Sequence, residues 1–228
     1  MKKLFFLISA LALFSCNNES EDSTNEDSND ITNDTTAVDS VITDEVVSGV
    51  QYFEDYAQFD TRTKLYEEFG EEYLDDDTTW YAEGTVMVLI STLDDPTNGN
   101  RIRFGWDEEN PEELSFIETW NYKDYESNKA QRVDAKNGLY TGMPLEEIVA
   151  WNDGKHVKFS GFGWDYSGGV FPGQGESNIA SSKIQFSLDM EQEGYETHTH
   201  LLGDQIFMSS DEAVKGAPIV LGTMVYYP

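Results

Sequence analysis

Residues 84–106 read GTVMVLISTLDDPTNGNRIRFGW, and this stretch decides the fold. Gly84 to Leu93 is rich in β-branched and apolar residues, the composition of a strand. Asn98-Gly99 is a hairpin turn signal, because both residues tolerate positive φ. Arg101 to Trp106 then alternates as the returning strand. Leu114 to Tyr122 (LSFIETWNY) supplies a third strand. Arg101 and Arg103 share one strand face, where the abundant acids can neutralise them. Asp94 to Asn100 (DDPTNGN) has the Gly of a calcium loop in sixth place. The twelfth place, which requires a bidentate Glu, is Gly105, so the segment reads as a turn.

Outward from the hairpin, Tyr52 to Leu74 reads as helical. Phe59, Leu65, Phe69 and Tyr73 form a loosely 3.6-periodic stripe, with Glu67, Glu68, Glu71 and Glu72 mostly between them. Asp60 or Thr61 is the expected N-cap of its second half, and Gly70 ends or interrupts it. Asp75-Asp76-Asp77 then sits at the helix C-terminus and is expected to be solvent-exposed. A second helix is expected within Gly138 to Trp151 (GLYTGMPLEEIVAW). Thr141 lies in the N-cap region, Pro144 suits the first turn, and Glu146-Glu147 complement the dipole. Leu145, Ile148, Val149 and Trp151 make its buried face, and Asn152-Asp153-Gly154 stops it. Strands are expected at His156 to Ser160, Lys183 to Met190, Tyr195 to Leu202, Gln205 to Met208 and Ile219 to Tyr227. The fold class is therefore α+β, an antiparallel sheet with short helices packed on one face. The helix-then-strands order occurs twice, which suggests a tandem duplication of about 80 residues, 50–137 and 138–228.

The 228 residues carry 14 Lys+Arg and 44 Asp+Glu, a net charge of −30. No basic face of the kind that displaces counterions from nucleic acid is compatible with that balance. A single Cys excludes an intramolecular disulfide and a Cys-rich zinc site. From residue 49 onward 27 of 180 residues are aromatic, ample for one core.

The N-terminus carries an address. Met1-Lys2-Lys3 is a basic n-region and Leu4 to Phe14 (LFFLISALALF) is an apolar run. As a helix that run reaches only about 16 Å against roughly 30 Å of bilayer hydrocarbon, so it reads as a signal peptide, 1–15. Residues 17–48 hold 10 Asp+Glu and no Lys or Arg. Such a segment cannot bury enough apolar surface to offset its chain entropy, so 16–49 reads as an acidic, disordered tether. Leu13-Phe14-Ser15-Cys16 resembles the lipobox of bacterial lipoproteins, with an apolar residue at −3 and a small one at −1. That resemblance implies a lipid on the Cys16 sulfur, cleavage before Cys16 and a covalent anchor in a bacterial membrane. Glu19, Glu21 and Asp22 resemble the surface-export signal of Bacteroidota-type lipoproteins. Asn17 at +2 is not the Asp of an inner-membrane retention signal, so the implied location is the cell envelope, at the outer membrane and surface-exposed.

Gly138 to Ile148 (GLYTGMPLEEI), then Asn152 and Gly154, resembles the GxxxGMxxxEV…LG pattern of small bacterial envelope proteins. In those a turn and helix precede a meander of strands, as in the outer-membrane assembly lipoprotein and beta-lactamase inhibitory protein folds. With Ser160 to Gly169 (SGFGWDYSGG), the domain resembles a set of Bacteroidota lipoproteins with no assigned activity. Proteins of that fold act mostly by binding other proteins, which is fold-level analogy.

The candidate chemistry is sparse. Trp164 and Tyr166 with Asp165, if exposed, offer aromatic faces and an acceptor to a peptide or sugar. The alternative is a glycine-bent strand whose aromatics pack inward. His198 and His200 would share a strand face at a spacing that some metal sites use, with His156 or Asp204 to complete a set. The alternative is two ordinary strand histidines, and no metal or other cofactor is expected. Gly175 to Ile179 (GESNI) lacks the last Gly of a nucleophile elbow, and no HExxH occurs. Two classes remain: a non-catalytic binding module with a protein or peptide partner, and a glycan-handling or metal-assisted enzyme using Trp164/Asp165 or His198/His200. The first is preferred, because no catalytic motif is present.

Overall fold

The computed structural model describes residues 49–81, 84–123, 130–164, 166–172 and 177–228. Cys16, the signal peptide, residues 17–48 of the tether and Asp165 lie outside the described residues.

Among the described residues nine strands form two sheets. The larger has six strands in the order β1-β2-β3-β4-β9-β7, all pairs antiparallel. These are β1 (Leu74–Tyr81), β2 (Val86–Asp94), β3 (Arg101–Trp106), β4 (Leu114–Trp120), β7 (Ile184–Met190) and β9 (Ile219–Tyr226). The smaller has the order β6-β5-β8, with β5 (Lys158–Ser160), β6 (Val170–Phe171) and β8 (Ile206–Met208). Among the described residues four short α-helices accompany them: α1 (Arg62–Phe69), α2 (Leu145–Trp151), α3 (Asn178–Ser181) and α4 (Gln192–Thr197). The protein is α+β, as its patterning predicts. Among the described residues no helix is long and apolar enough to cross a membrane.

The β2–β3 hairpin forms where the alternation places it, pairing Ile90 with Gly105 and Asp94 with Arg101. Its turn is wider than a two-residue Asn-Gly loop. Asp95 N–H donates to Asn100 O and Gly99 N–H to Asp95 O, both at 2.8 Å, so four residues project between them. Asp95 is almost fully buried and organises the turn. Its carboxylate accepts from the Tyr56 hydroxyl (2.6 Å), Thr97 N–H and the Thr97 hydroxyl. These donors leave its oxygens committed to the protein itself, as a structural turn requires.

One face of the main sheet carries Leu93, Ile102, Phe104, Trp106, Ile117, Phe186, Leu188 and Met224. Against them pack Phe53 and Tyr56 from a 3-10 turn (Phe53–Gln58), Leu65 and Phe69 from α1, and Leu145 and Ile148 from α2. Phe159, Phe162 and Phe207 of the smaller sheet region continue the same core. The opposite sheet face holds a second cluster of Tyr81, Val88, Ile90 and Phe116. There Phe116 lies over Gly105, where a Cβ would overlap its ring. Beside this cluster Arg103 pairs with Glu118 at 2.8 Å and stacks on Trp120, 4.8 Å from the ring centre.

Several sequence expectations need correction. Residues 52–74 are not one helix but a 3-10 turn, α1 and a second 3-10 turn (Glu71–Tyr73), with Thr61 as the N-cap of α1 and Gly70 its C-cap. Asp75-Asp76-Asp77 belongs to β1, not to a helix end. Long-range partners hold it there, since Asp76 takes Arg62 and the Ser91 hydroxyl. Thr141 caps no helix. It is buried, accepting from Val133 N–H and donating to Gln131 O, both at 2.9 Å, while Pro144 stands at the N-cap of α2. Tyr195 to Leu202 is not a strand but the end of α4 followed by a 3-10 turn (Thr199–Leu201). The two helix-then-strands segments do not build two like sheets. β1 to β4 all join the main sheet, whereas α2 is followed by the small one, and β4 pairs with β9 across the segment boundary.

Candidate functional site

The segment Gly161–Gly169 leaves β5 and returns into β6. Phe162 anchors its start. It is fully buried, with its ring 5.9 Å from Phe159 and edge-on to Tyr195 at 6.4 Å. Its backbone is clamped on both sides, Phe162 N–H donating to Leu201 O and Gly203 N–H to Phe162 O, each at 2.9 Å. Gly168 anchors the return. Its N–H donates to Gly161 O at 3.1 Å, and its carbonyl accepts from Leu188 N–H of β7 at 2.8 Å. Gly168 has φ +63°, and any Cβ there would overlap the Leu188 carbonyl oxygen. Gly161 is confined likewise by the carbonyls of Leu201 and Gly203. These glycines are needed because the loop lies directly on neighbouring backbone.

Between the anchors a tight turn closes. Ser167 N–H donates to Trp164 O and Gly169 N–H to Tyr166 O, both at 2.9 Å. The Ser160 hydroxyl donates to the Tyr166 carbonyl. Gly163 N–H donates to the Ser167 hydroxyl at 3.1 Å. Beneath the loop, Tyr195 donates to Asp189 Oδ1 at 2.8 Å. Burial pushes the Tyr195 phenol up, and the Asp189 charge adds to it, so Tyr195 stays a neutral donor.

The outcome is a fixed backbone presenting two large aromatic side chains. Trp164 is 62% exposed and Tyr166 55%. The inward-packing alternative therefore does not hold for these two rings, and applies to Phe162 alone. Asp165 between them lies outside the described residues. The smaller sheet, whose Ser160 holds the Tyr166 carbonyl, carries exposed apolar residues of its own. Ile206, 54% exposed, is opposite Ser160, and Phe171 is opposite Lys158, whose ammonium lies 5.5 Å from the Phe171 ring centre. Ile206, Phe171 and Lys158 were not singled out by sequence. Their strands are too short to show periodicity, and their common face is set by the β6-β5-β8 pairing.

The histidines do not share the strand face expected of them. His198 and His200 stand 5.9 Å apart by ring centre on a helix end and the 3-10 turn after it, not on one strand face. His200 Nε2 is 2.8 Å from Ala213 O and His198 Nδ1 is 2.9 Å from the Thr197 hydroxyl. His156 sits apart, near the Ser209 hydroxyl. Among the described residues no group of three or more His, Cys, Asp or Glu is placed to hold a metal ion.

No family model, curated protein or solved structure matches the chain.

Proposed function

We propose that this chain is a lipid-anchored envelope protein whose domain is a non-catalytic binding module for a protein or peptide. The observation that carries the binding reading is the exposure of Trp164 and Tyr166 on a loop whose backbone is already fixed. Exposed aromatics on a rigid frame add contact area at little ordering cost, and Trp and Tyr are the side chains that dominate interface energies. Ile206, Phe171 and Lys158 share one face of the smaller sheet with Ser160, which holds the loop's Tyr166 carbonyl.

Anchoring rests on the Leu13-Phe14-Ser15-Cys16 sequence. Two or three acyl chains on one residue hold firmly, since each buried methylene contributes about 0.8 kcal/mol. The 32 residues that follow hold 10 Asp+Glu and no Lys or Arg. The carboxylates of tether and domain alike repel an anionic leaflet. An outer-membrane, surface-facing position suits that arrangement. Cys16→Ala should release the chain into the soluble fraction and abolish labelling by a palmitate analogue. Retained acylation in that variant would overturn the anchor.

Binding is tested in living cells with a photo-reactive residue at position 206. A discrete protein adduct is expected, falling about tenfold or more in a Trp164→Ala/Tyr166→Ala variant. An adduct of undiminished yield in that variant would remove the loop from the binding surface.

A further inference from the structure

A second concavity lies away from the Trp164–Tyr166 loop and shares no residue with it. It is a cleft of about 580 Å³ whose lining includes Glu54, Lys136, Trp151, Asn178, Lys183 and Tyr226.

The wall is built and rigid. The Trp151 indole N–H donates to Asn137 O at 2.7 Å, and Asn137 Nδ2 donates to the Ser182 hydroxyl at 3.2 Å. Asn178 Nδ2 donates to Trp151 O. Asn152 Oδ1 accepts from Ile179 N–H at 3.2 Å, tying α3 to the end of α2. Trp151 is further seated edge-on to Phe186, with ring centres 6.2 Å apart. Trp151, one aromatic side of the cleft, is thus fixed before any ligand arrives; Tyr226 of β9 forms the other.

Its charge is unusual for this molecule. From residue 49 onward 12 Lys+Arg face 34 Asp+Glu, so a cation is expected to find a carboxylate. Arg62, Lys64, Arg101, Arg103, Arg132, Lys136 and Lys215 each do. Among the described residues Lys123, Lys158 and Lys183 make no ion pair, and of these Lys183, which is exposed, is the one that lines the cleft. It stands in the cleft with three uncommitted donors. Lys136 reaches the same cleft, and its bond to Asp55 at 2.5 Å leaves further N–H groups.

We propose that this cleft binds an acidic saccharide, its carboxylate on Lys183 and its ring against Trp151 and Tyr226. Aromatic walls suit the apolar face of a sugar ring. The Ser181 hydroxyl donates to Ser177 O and Asn178 Nδ2 to Trp151 O, which leaves lone pairs on the Ser181 and Asn178 side-chain oxygens to accept from sugar hydroxyls. The Glu54 carboxylate in the lining is held by the Lys136 backbone N–H, at 3.0 Å to Oε2, and makes no ion pair with Lys183. The Lys183 ammonium can therefore select an acid over a neutral sugar, against the repulsion of the remaining surface.

The experiment is calorimetric titration of the full chain in detergent with oligogalacturonate and with the same oligomer methyl-esterified. Saturable binding of the free acid is expected, weakened about tenfold or more by esterification and by Lys183→Gln, and weakened by added salt. Trp164→Ala should leave it unchanged, which separates this site from the loop. No saturable binding of the acid, equal binding of the ester, or full binding by Lys183→Gln would each overturn the proposal.

Discussion

Glu118→Ala is expected to cost about 3–5 kcal/mol of folding stability, the largest effect of any single polar replacement in the domain. Glu118 is 2% exposed on the sheet face opposite the main core. It accepts from Arg103 at 2.8 Å, and the Tyr81 hydroxyl donates to it at 3.4 Å. Phe116 precedes it by two residues on the same face, and Val225 is its neighbour on β9. Removing the carboxylate strands the Arg103 guanidinium, which cannot shed its proton and whose Nε already lacks a hydrogen-bond partner. Arg103→Met alone should be similarly harmful, because it leaves Glu118 buried without its cation. Replacing both, Arg103→Met with Glu118→Leu, should recover most of the loss, because neither charge then remains to desolvate. Urea midpoints of the four proteins read this directly. A Glu118→Ala cost below about 1 kcal/mol would mean water reaches the pair.

The same carboxylate gives the domain a pH signature. Burial pushes Glu118 above the ordinary carboxylate range, with Arg103 and Tyr81 pulling partly the other way. The folded chain then holds this proton more tightly than the unfolded one. In the window between the unfolded and folded values, stability falls as pH rises. That component should vanish in Glu118→Gln, measured as the pH dependence of the urea midpoint.

Local patterns were legible where the local and global demands agree. Arg101 to Trp106 alternates because one face meets the main core and the other meets acids. The expectation that acids neutralise Arg101 and Arg103 is met by Asp94 and Glu118. Asp75 to Asp77 defeats a local reading, since Asp disfavours strands and a charge run resembles a loop. Only the register against β2 shows that Asp76 reaches Ser91. The Tyr195 to Leu202 segment misleads in the other direction. Its Thr and aromatic content signals a strand, but Gly194 allows α4 to sit close against Met190 and Pro218. At the candidate site, the composition of Gly161 to Gly169 was conspicuous while its orientation was not. Whether Trp164 faces in or out depends on where Leu201, Gly203 and Leu188 present their carbonyls, all more than 20 residues away in sequence. Trp151 illustrates the same limit. Helical spacing puts it on the buried face of α2, whereas the structure makes it half-buried and one wall of a cleft. Lys183 carries no signal of its own, since its significance lies in a carboxylate it does not meet.

Gly168→Ala is expected to cost about 3 kcal/mol, the sum of left-handed backbone strain and overpacking against β7. The methyl group would overlap the Leu188 carbonyl oxygen, which is backbone and cannot rotate away. Relief requires lifting the loop off β7, which breaks the Leu188 N–H to Gly168 O bond and opens the turn that carries Tyr166. Gly163→Ala is the control. It has a similar positive φ, +85°, but a Cβ there meets nothing nearer than a Leu202 methyl at 3.9 Å. It should cost only the backbone strain, about 1–2 kcal/mol. The difference between the two urea midpoints isolates the close approach to β7. Equal costs would show that the loop does not rest on Leu188. The pair also bears on function. If binding depends on a preset backbone, folded Gly168→Ala protein should lose the adduct at position 206 while Gly163→Ala keeps it, although both retain Trp164 and Tyr166. Retention in both would mean that the aromatic side chains find the partner without help from the frame, and that the glycines serve folding alone.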